Sequence, residues 1–360
     1  MKREEAKKRI LVMRYRFIGD TILTVPFLRN LRRAEPDAWI VWMVAPGSSD
    51  AVKGVPYIDE MIDWDTSPMY AGGSGAHRTL SAKNEFIKKL RAMRFDKVYV
   101  LKRSLSSAII AWLTGAGERI GFNTEGRGFL LTRRVPYRHD LHEVENFLEV
   151  LRADGIPVTD NYLEAWLSLE EQTFAADFLA RQGVAEGDTI IGIHPFAANQ
   201  IRAWHEDNFV ALANLLQARY GARILLFGGA VDSALGEYCR ERIVPAPLMA
   251  VGTTSLRQTM ALLARCNLLV CNDSGIMHLA ASLNRPLVAL FGPQSPVKFG
   301  PWGQNCRVLY KEFSCSPCKQ KFFRECGPSP RMKPICMEEI SVEEVLDTIV
   351  QGEGELFRVR

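Results

Sequence analysis

The 360 residues hold no run of about eighteen apolar residues, the length a helix needs to cross a bilayer. The first apolar stretch, Ile10 to Met13, stops at Arg14 and is too short for the core of a secretory leader. A cytoplasmic chain is the expectation from these two absences. Low-complexity tracts, solenoid-period repeats and a Pro/Gly-rich linker are also missing, which excludes a repeat array, a collagen-like rod and a disordered tail protein. Neither sign of charge dominates: 45 Lys and Arg face 41 Asp and Glu, a net charge of +4. The basic residues come without an RRM, KH, zinc-finger or helix-turn-helix signature, so no nucleic-acid partner is expected.

What is present is ordinary for a folded enzyme-sized chain: 47% hydrophobic and 24% charged residues. This length suits two domains, and about three quarters of the open-chain surface can be buried without staples. The basic residues are clustered. Residues 102–140 hold seven Lys/Arg against three acids, and residues 1–16 and 307–333 are similarly biased. Such clusters either form a solvated face or steer an anionic partner.

Short apolar runs alternate with helical patterns along the chain. Arg9–Arg14, Trp39–Val44 and Lys97–Leu101 read as strands, with helices from Thr21 to Ala34 and around Glu85 to Met93. The rhythm repeats in strands at Thr189–Ile193, Arg223–Phe227, Leu268–Cys271 and Pro286–Phe291. Helices fall at Glu206–Tyr220, Ser255–Ala264 and Ser274–Leu283. Continuous apolar strands between helices indicate parallel sheets covered on both faces. The α/β reading is therefore two Rossmann-like domains with parallel sheets facing an interdomain cleft. Their bounds are 1–165 and 166–340, followed by a carboxyl-terminal helix and tail over 341–360. The linker lies near Asp160 to Glu170, and Gly72 to Gly75 reads as a loose loop.

Ligands of open parallel sheets bind beyond the carboxyl ends of the strands, and the unusual residues fall there. Gly19-Asp20 follows the first strand. Asp20 is either the N-cap of the first helix or a carboxylate that takes a proton from an incoming hydroxyl. As a cap it should accept Asn at near-normal melting temperature. Asp273-Ser274-Gly275 follows the strand Leu268–Cys271 and opens a helix that carries His278. Free amides at a helix start suit a pyrophosphate, so Ser274 and Gly275 are candidates for it and Asp273 for sugar hydroxyls. The alternative is a capped helix with a core histidine. His194-Pro195 and Arg202-Ala203-Trp204 follow the strand at 189–193, where Arg202 could neutralise a diphosphate or be a surface arginine. Gly228-Gly229 with Asp232 forms a glycine turn with an acid placed for a ribose.

Cys315-x-x-Cys318 with Cys326 and Cys336 has the first half of a tetrahedral thiolate site and a looser second half. A structural zinc, free thiols and disulfides all remain open. Cys239, Cys266, Cys271 and Cys306 read as inert thiols.

With these residues in view the chain resembles glycosyltransferase family 9, the ADP-heptose:lipopolysaccharide heptosyltransferases. The carriers are Ile10 to Arg32, Gly252-x-x-Ser-Leu256, Asn272-Asp-Ser-Gly-x-Met-His-Leu-Ala-Ala281 and Pro286 to Pro293, in the family's order. The resemblance spans roughly residues 9 to 350. It implies a GT-B fold and inverting transfer of a heptose from a nucleotide diphosphate sugar to an anionic, lipid-linked lipopolysaccharide core acceptor. The family's base matches Asp20, and its donor-binding acid and helix amides match Asp273, Ser274 and Gly275. Gly252, Asp232, His194 and His278 complete the expected donor set. Arg202 stands where the family usually has Lys, and Phe196 where it often has Gly.

No cofactor is expected for catalysis, because Arg202 and the helix amides would stand in for a divalent ion. Gly19, Lys102, Arg103, Arg119, Arg127, Arg133 and Arg134 are the candidate acceptor-binding residues, and peripheral association with the inner membrane fits a lipid-linked acceptor. The rival readings are a nucleotide-sugar epimerase on the same frame, a transferase of another nucleotide sugar, and a non-catalytic sugar- or lipid-binding protein.

Overall fold

The computed structural model describes residues 7–66, 73–318, 320, 326, 329 and 331–352. It divides into two compact units, with the boundary between Tyr162 and Leu163.

The first unit is built on a six-stranded parallel sheet. Its strands are β1 (Arg9–Met13), β2 (Trp39–Val44), β3 (Glu60–Asp63), β4 (Lys97–Val100), β5 (Glu118–Phe122) and β6 (Arg133–Val135), in the order β3-β2-β1-β4-β5-β6. Its main helices are α1 (Ile18–Ile22), α2 (Val25–Ala34), α3 (Leu80–Ala92), α4 (Leu105–Leu113) and α5 (Glu143–Ala153). Ile10 to Met13 of β1 are all buried, as a strand sandwiched between helix layers must be. Each such aliphatic side chain contributes about 1.5–3 kcal/mol by leaving water. The helix expected over 21–34 is two helices, because α1 ends at Ile22 and Pro26 sits in the first turn of α2, where its missing N–H costs nothing.

Residues 159–162 close this unit because α2 holds them. Arg29, almost fully buried, donates from Nε to Asp160 at 2.6 Å and from Nη2 to the Tyr162 carbonyl at 2.7 Å. Asn30 donates to the Asp160 carbonyl at 2.8 Å. The paired arginines Arg29 and Arg33 hold the Asp160 carboxyl below its usual range despite the opposing effect of burial. Of the expected loose loop, Gly72 lies outside the described residues. Residues 74–76 are not loose: their backbone N–H groups converge on the buried Asp65 carboxylate at 2.7, 2.8 and 3.3 Å.

The second unit repeats the plan. Strands β7 (Ile190–His194), β8 (Arg223–Leu226), β9 (Leu248–Met249), β10 (Leu268–Asn272), β11 (Leu287–Phe291) and β12 (Cys306–Tyr310) form a parallel sheet in the order β12-β11-β10-β7-β8-β9. Helices α6 (Leu169–Arg181), α7 (Glu206–Tyr220), α8 (Ser233–Arg242), α9 (Leu256–Leu263), α10 (Gly275–Ser282) and α11 (Val342–Gln351) flank it. Counted within each unit, both strand orders are the Rossmann order 3-2-1-4-5-6. Arg257 of α9 fixes the start of this unit, pairing with Glu171 and donating to the Trp166 carbonyl at 2.5 Å. That pairing holds the Glu171 carboxyl down at about 2. Helix α11 belongs to the same core, where Val345 and Ile349 are fully buried. Trp204, also buried, reaches that segment by donating to the Ile340 carbonyl at 2.8 Å.

Phe196 explains the glycine after β8. A Cβ on Gly228 would lie 2.5 Å from the Phe196 ring, whose side chain is buried. Gly228→Ala is therefore expected to destabilise the second unit by about 1–3 kcal/mol through overpacking. In a Phe196→Gly background, where the ring is gone, Gly228→Ala should cost less than in the parent. Denaturant unfolding of the two single variants and the double variant checks this coupling, and simple additivity would refute it.

Candidate active site

In each sheet the strand order reverses between two neighbours, β1 and β4 in the first unit and β7 and β10 in the second. Crossovers leave in opposite directions there and open a crevice at the carboxyl ends. The register places Met13 beside Val100 and His194 beside Cys271, so the residues that follow each pair emerge side by side.

In the first unit this edge carries Arg14, Asp20 and Lys102. Asp20 is the third residue of α1, and not its N-cap, which is Phe17. Its Oδ2 accepts the Phe17 N–H at 2.9 Å, and its Oδ1 lies 2.5 Å from Nη2 of the buried Arg14. Arg14 in turn lies over the Phe147 ring at 5.4 Å. This arginine was not singled out in the sequence, although it stands two residues from Arg16 at the end of β1. Asp20→Asn would keep an acceptor for Phe17 but leave a buried guanidinium without its counter-charge. Breaking a buried pair from one side costs about 3–5 kcal/mol. Asp20→Asn should therefore lower the melting temperature, where a plain cap would have tolerated it.

Lys102 is held near this pair, with its Nζ 5.7 Å from the Tyr15 ring. Burial, reinforced by Arg14, Arg16 and Arg103 and opposed by Asp20, brings its ammonium down to about 8. Arg103 stacks on Tyr137 at 4.1 Å and pairs with Glu143 at 3.3 Å. Lys102, Arg103 and Asp20 are thus brought to one edge, together with Gly19, which is buried in α1.

The other basic candidates are not. Arg127 is fully buried and braces loops, donating to the Phe122 carbonyl at 2.8 Å and the Ser104 carbonyl at 3.0 Å. Arg119 and Arg133 lie at the amino-terminal ends of β5 and β6, on the opposite edge of the sheet. There Arg119 bonds the Leu130 carbonyl at 2.8 Å, and Arg133 pairs with Asp154 at 2.8 Å. Arg134 donates to the Gly128 carbonyl at 3.0 Å and is exposed.

In the second unit the carboxyl ends of β10, β7, β8 and β9 line up in that order. Asp273, buried, lies 3.3 Å from Nη1 of Arg202. Burial outweighs the arginine and raises the Asp273 carboxyl to about 6. Ser274 is the N-cap of α10, which begins at Gly275, and its Oγ lies 3.4 Å from Nδ1 of His194. Burial lowers the His194 ring to about 4, so the imidazole is neutral at pH 7. His278 is buried one turn into α10. Asn272 ties the strand end to the loop that bears Arg202, accepting the Trp204 N–H at 2.9 Å and donating to the Phe196 carbonyl at 3.4 Å.

Gln320 also escaped the sequence reading. Its Oε1 accepts from Arg202 Nε at 2.9 Å, so the cysteine-bearing segment supports the arginine. Asp232 braces its own turn, accepting the Gly229 N–H at 2.8 Å. Gly252, with φ of 69°, returns the chain after β9 and donates to the Gly228 carbonyl at 3.0 Å.

The four carboxyl-terminal cysteines share one neighbourhood. Burial and the Cys315, Cys318 and Cys326 thiols raise Cys336 to about 12, and the Gln320 N–H lies 3.2 Å from Cys318 Sγ. Among the described residues, however, no three His, Cys, Asp or Glu side chains are arranged to hold a metal ion. As arranged here, the four thiols do not form a tetrahedral metal site. Cys239, Cys266 and Cys271 are buried and, like the half-buried Cys306, have thiols raised by burial, which suits inert roles.

The raised Asp273 carboxyl has a stability consequence. Its folded state keeps a proton up to about pH 6, while an unfolded Asp releases it near pH 4. Folding stability from this group therefore falls as pH rises from about 4 to 6 and is flat above. Asp273→Asn should gain melting temperature relative to the parent across that window. A constant difference from pH 4 to 7 would show that Asp273 titrates normally.

Comparison with known proteins agrees with this geometry. Residues 84–326 match the profile of glycosyltransferase family 9 (heptosyltransferase). Lipopolysaccharide heptosyltransferase 2 of Escherichia coli K12 is 29% identical over 320 residues, covering 84% of this chain and 87% of that protein. The solved glycosyltransferase family 9 structure from Veillonella parvula superimposes with a TM-score of 0.83 at 27% identity, covering 96% of each chain. Escherichia coli ADP-heptose lipopolysaccharide heptosyltransferase II does so at 0.75, with 24% identity, over 96% of this chain and 99% of that one. Two parallel-sheet units of Rossmann order, in the GT-B fold class, with the family's profile across two thirds of the chain, lead to one conclusion: the protein belongs to glycosyltransferase family 9 and is a glycosyltransferase.

Proposed function

We propose that the enzyme transfers a heptose from ADP-heptose to an anionic, lipid-linked saccharide of the lipopolysaccharide core, with inversion at the anomeric carbon. The observation that carries this reading is the pairing of Asp273 with Arg202 at the start of α10. A carboxylate for sugar hydroxyls, a guanidinium for a diphosphate and two helix-start amides stand together at the switch point of a Rossmann sheet. The names of the Escherichia coli relatives, lipopolysaccharide heptosyltransferase 2 and ADP-heptose lipopolysaccharide heptosyltransferase II, support the sugar and the acceptor class.

In the reaction proposed, Asp20 accepts the proton of the acceptor hydroxyl while that oxygen bonds to the anomeric carbon. The bond from that carbon to the diphosphate oxygen breaks, and its electron pair leaves with ADP. Arg202 and the Ser274 and Gly275 amides stabilise the charge that develops on the leaving group. Lys102 and Arg103, at the same edge as Asp20, attract the acceptor's anionic groups. Arg14 keeps the Asp20 carboxylate oriented.

Product mass after incubation with ADP-heptose and a core acceptor tests the reading: a gain of one heptose supports it. Isomerised donor without transfer would point to an epimerase, and an inert donor to a binding protein. Asp20→Asn, assayed below its own melting temperature, should bind nucleotide yet lose about 10²- to 10⁴-fold in transfer rate. Retention of more than about a tenth of the activity would make the carboxylate a structural partner of Arg14. Arg202→Ala should reduce kcat about 10²- to 10³-fold, more than it weakens donor binding, because the leaving charge grows only in the transition state. Arg202→Lys should be milder, and an unchanged kcat in Arg202→Ala would remove Arg202 from the leaving-group site.

A further inference from the structure

Helix α4 buries one face and leaves an apolar stripe in water. Ser107, Ala108, Ile110 and Ala111 face the core, whereas Leu105, Ile109 and Trp112 are 39%, 40% and 54% exposed. Positions i, i+4 and i+7 lie on one side of a helix, so these three form a single line about 10 Å long. Phe129, 73% exposed, adds to it from the turn over Arg127–Leu130, which packs against α4. A surface helix of a soluble protein normally puts charged or polar residues on this side.

Basic residues border the stripe. Arg103 precedes Ser104, the N-cap of α4, and the exposed Arg134 is bonded to Gly128, the neighbour of Phe129. Lys102 stands beside Arg103 ahead of the helix, and the acid Glu125 is engaged there, accepting the Leu105 N–H at 3.0 Å. Helix α4 also starts directly after Lys102 and Arg103, at the carboxyl end of β4 and hence at the edge that carries Asp20.

We propose that Leu105, Ile109, Trp112 and Phe129 form a docking surface for an anionic lipid bilayer, seating the first unit on the membrane with its basic edge at the headgroups. Apolar side chains beside arginines match the chemistry of the interface, where acyl boundary and anionic headgroup meet. The area favours a bilayer over a second copy of the chain. The four side chains expose on the order of 400 Å², about half of what each partner supplies in a stable interface. Among the described residues no helix is long and apolar enough to cross a membrane, so shallow docking is the mode these residues allow.

Flotation of the full-length protein with vesicles tests this without donor or acceptor, so the result is independent of the proposed reaction. Wild type should float with phosphatidylglycerol–phosphatidylethanolamine vesicles, less at high salt, and weakly with phosphatidylcholine alone. Trp112→Ser with Phe129→Ser should lose at least about tenfold in partitioning, while its melting temperature and its activity on a soluble, lipid-free acceptor stay at the parent level. The single variants, each milder, keep the test valid if the double variant folds poorly. Equal flotation of wild type and variants, or wild type that stays in the soluble fraction, would overturn the proposal. So would wild-type self-association in sedimentation velocity that the double variant abolishes, since the stripe would then be a dimer contact.

Discussion

The reversal of strand order in each sheet is the constraint from which the rest follows. Right-handed crossovers must leave β1 and β4, or β7 and β10, toward opposite faces. The backbone therefore parts at those carboxyl ends, and loop side chains can converge there without competing with the core. Asp20, Arg14 and Lys102 gather at the first reversal. His194, Asp273, Ser274 and Arg202 gather at the second. The apolar strands behind them act as a rigid base, which is why polar residues with perturbed acidities can be tolerated at these edges.

Each reversal is braced by an arginine–carboxylate pair, and the two pairs differ in setting. Arg14 is buried against the Phe147 ring and pairs with Asp20. Arg202 is partly exposed, with Gln320 as a second partner, while the acid Asp273 is the buried member. In the second pair burial dominates and the Asp273 carboxyl moves up to about 6. In the proposed donor site, Arg202 is the member within reach of solvent, and a diphosphate would take over part of its contact with Gln320 and Asp273.

Much of this was legible in the chain. Continuous apolar runs mark the central strands β1, β2, β4, β7, β8, β10 and β11, because strands buried on both faces admit few polar residues. The outer strands lack such runs: β5 opens with Glu118-Arg119, β6 is Arg133-Arg134-Val135, and no residue of β12 is fully buried. Asp20, Arg202 and Asp273 stand out in the sequence because they follow strong strands. Arg14 and Gln320 were not, since one looks like the end of a strand and the other depends on a contact across 118 positions. Of the basic residues between 102 and 140, composition could not separate Lys102 and Arg103 from Arg127, which is consumed by backbone carbonyls, or from Arg119 and Arg133 at the far edge. Position along a strand decides that, and only pairing register reveals it.

The central claim is that the carboxyl ends of β7 and β10 hold a nucleoside diphosphate. A crystal structure with ADP tests it most directly. The account predicts the diphosphate within hydrogen-bond distance of the Ser274 and Gly275 amides, with the Arg202 guanidinium turned from Gln320 or Asp273 onto its oxygens. ADP bound elsewhere, or bound here with Arg202 still paired only to Asp273 and Gln320, would contradict it.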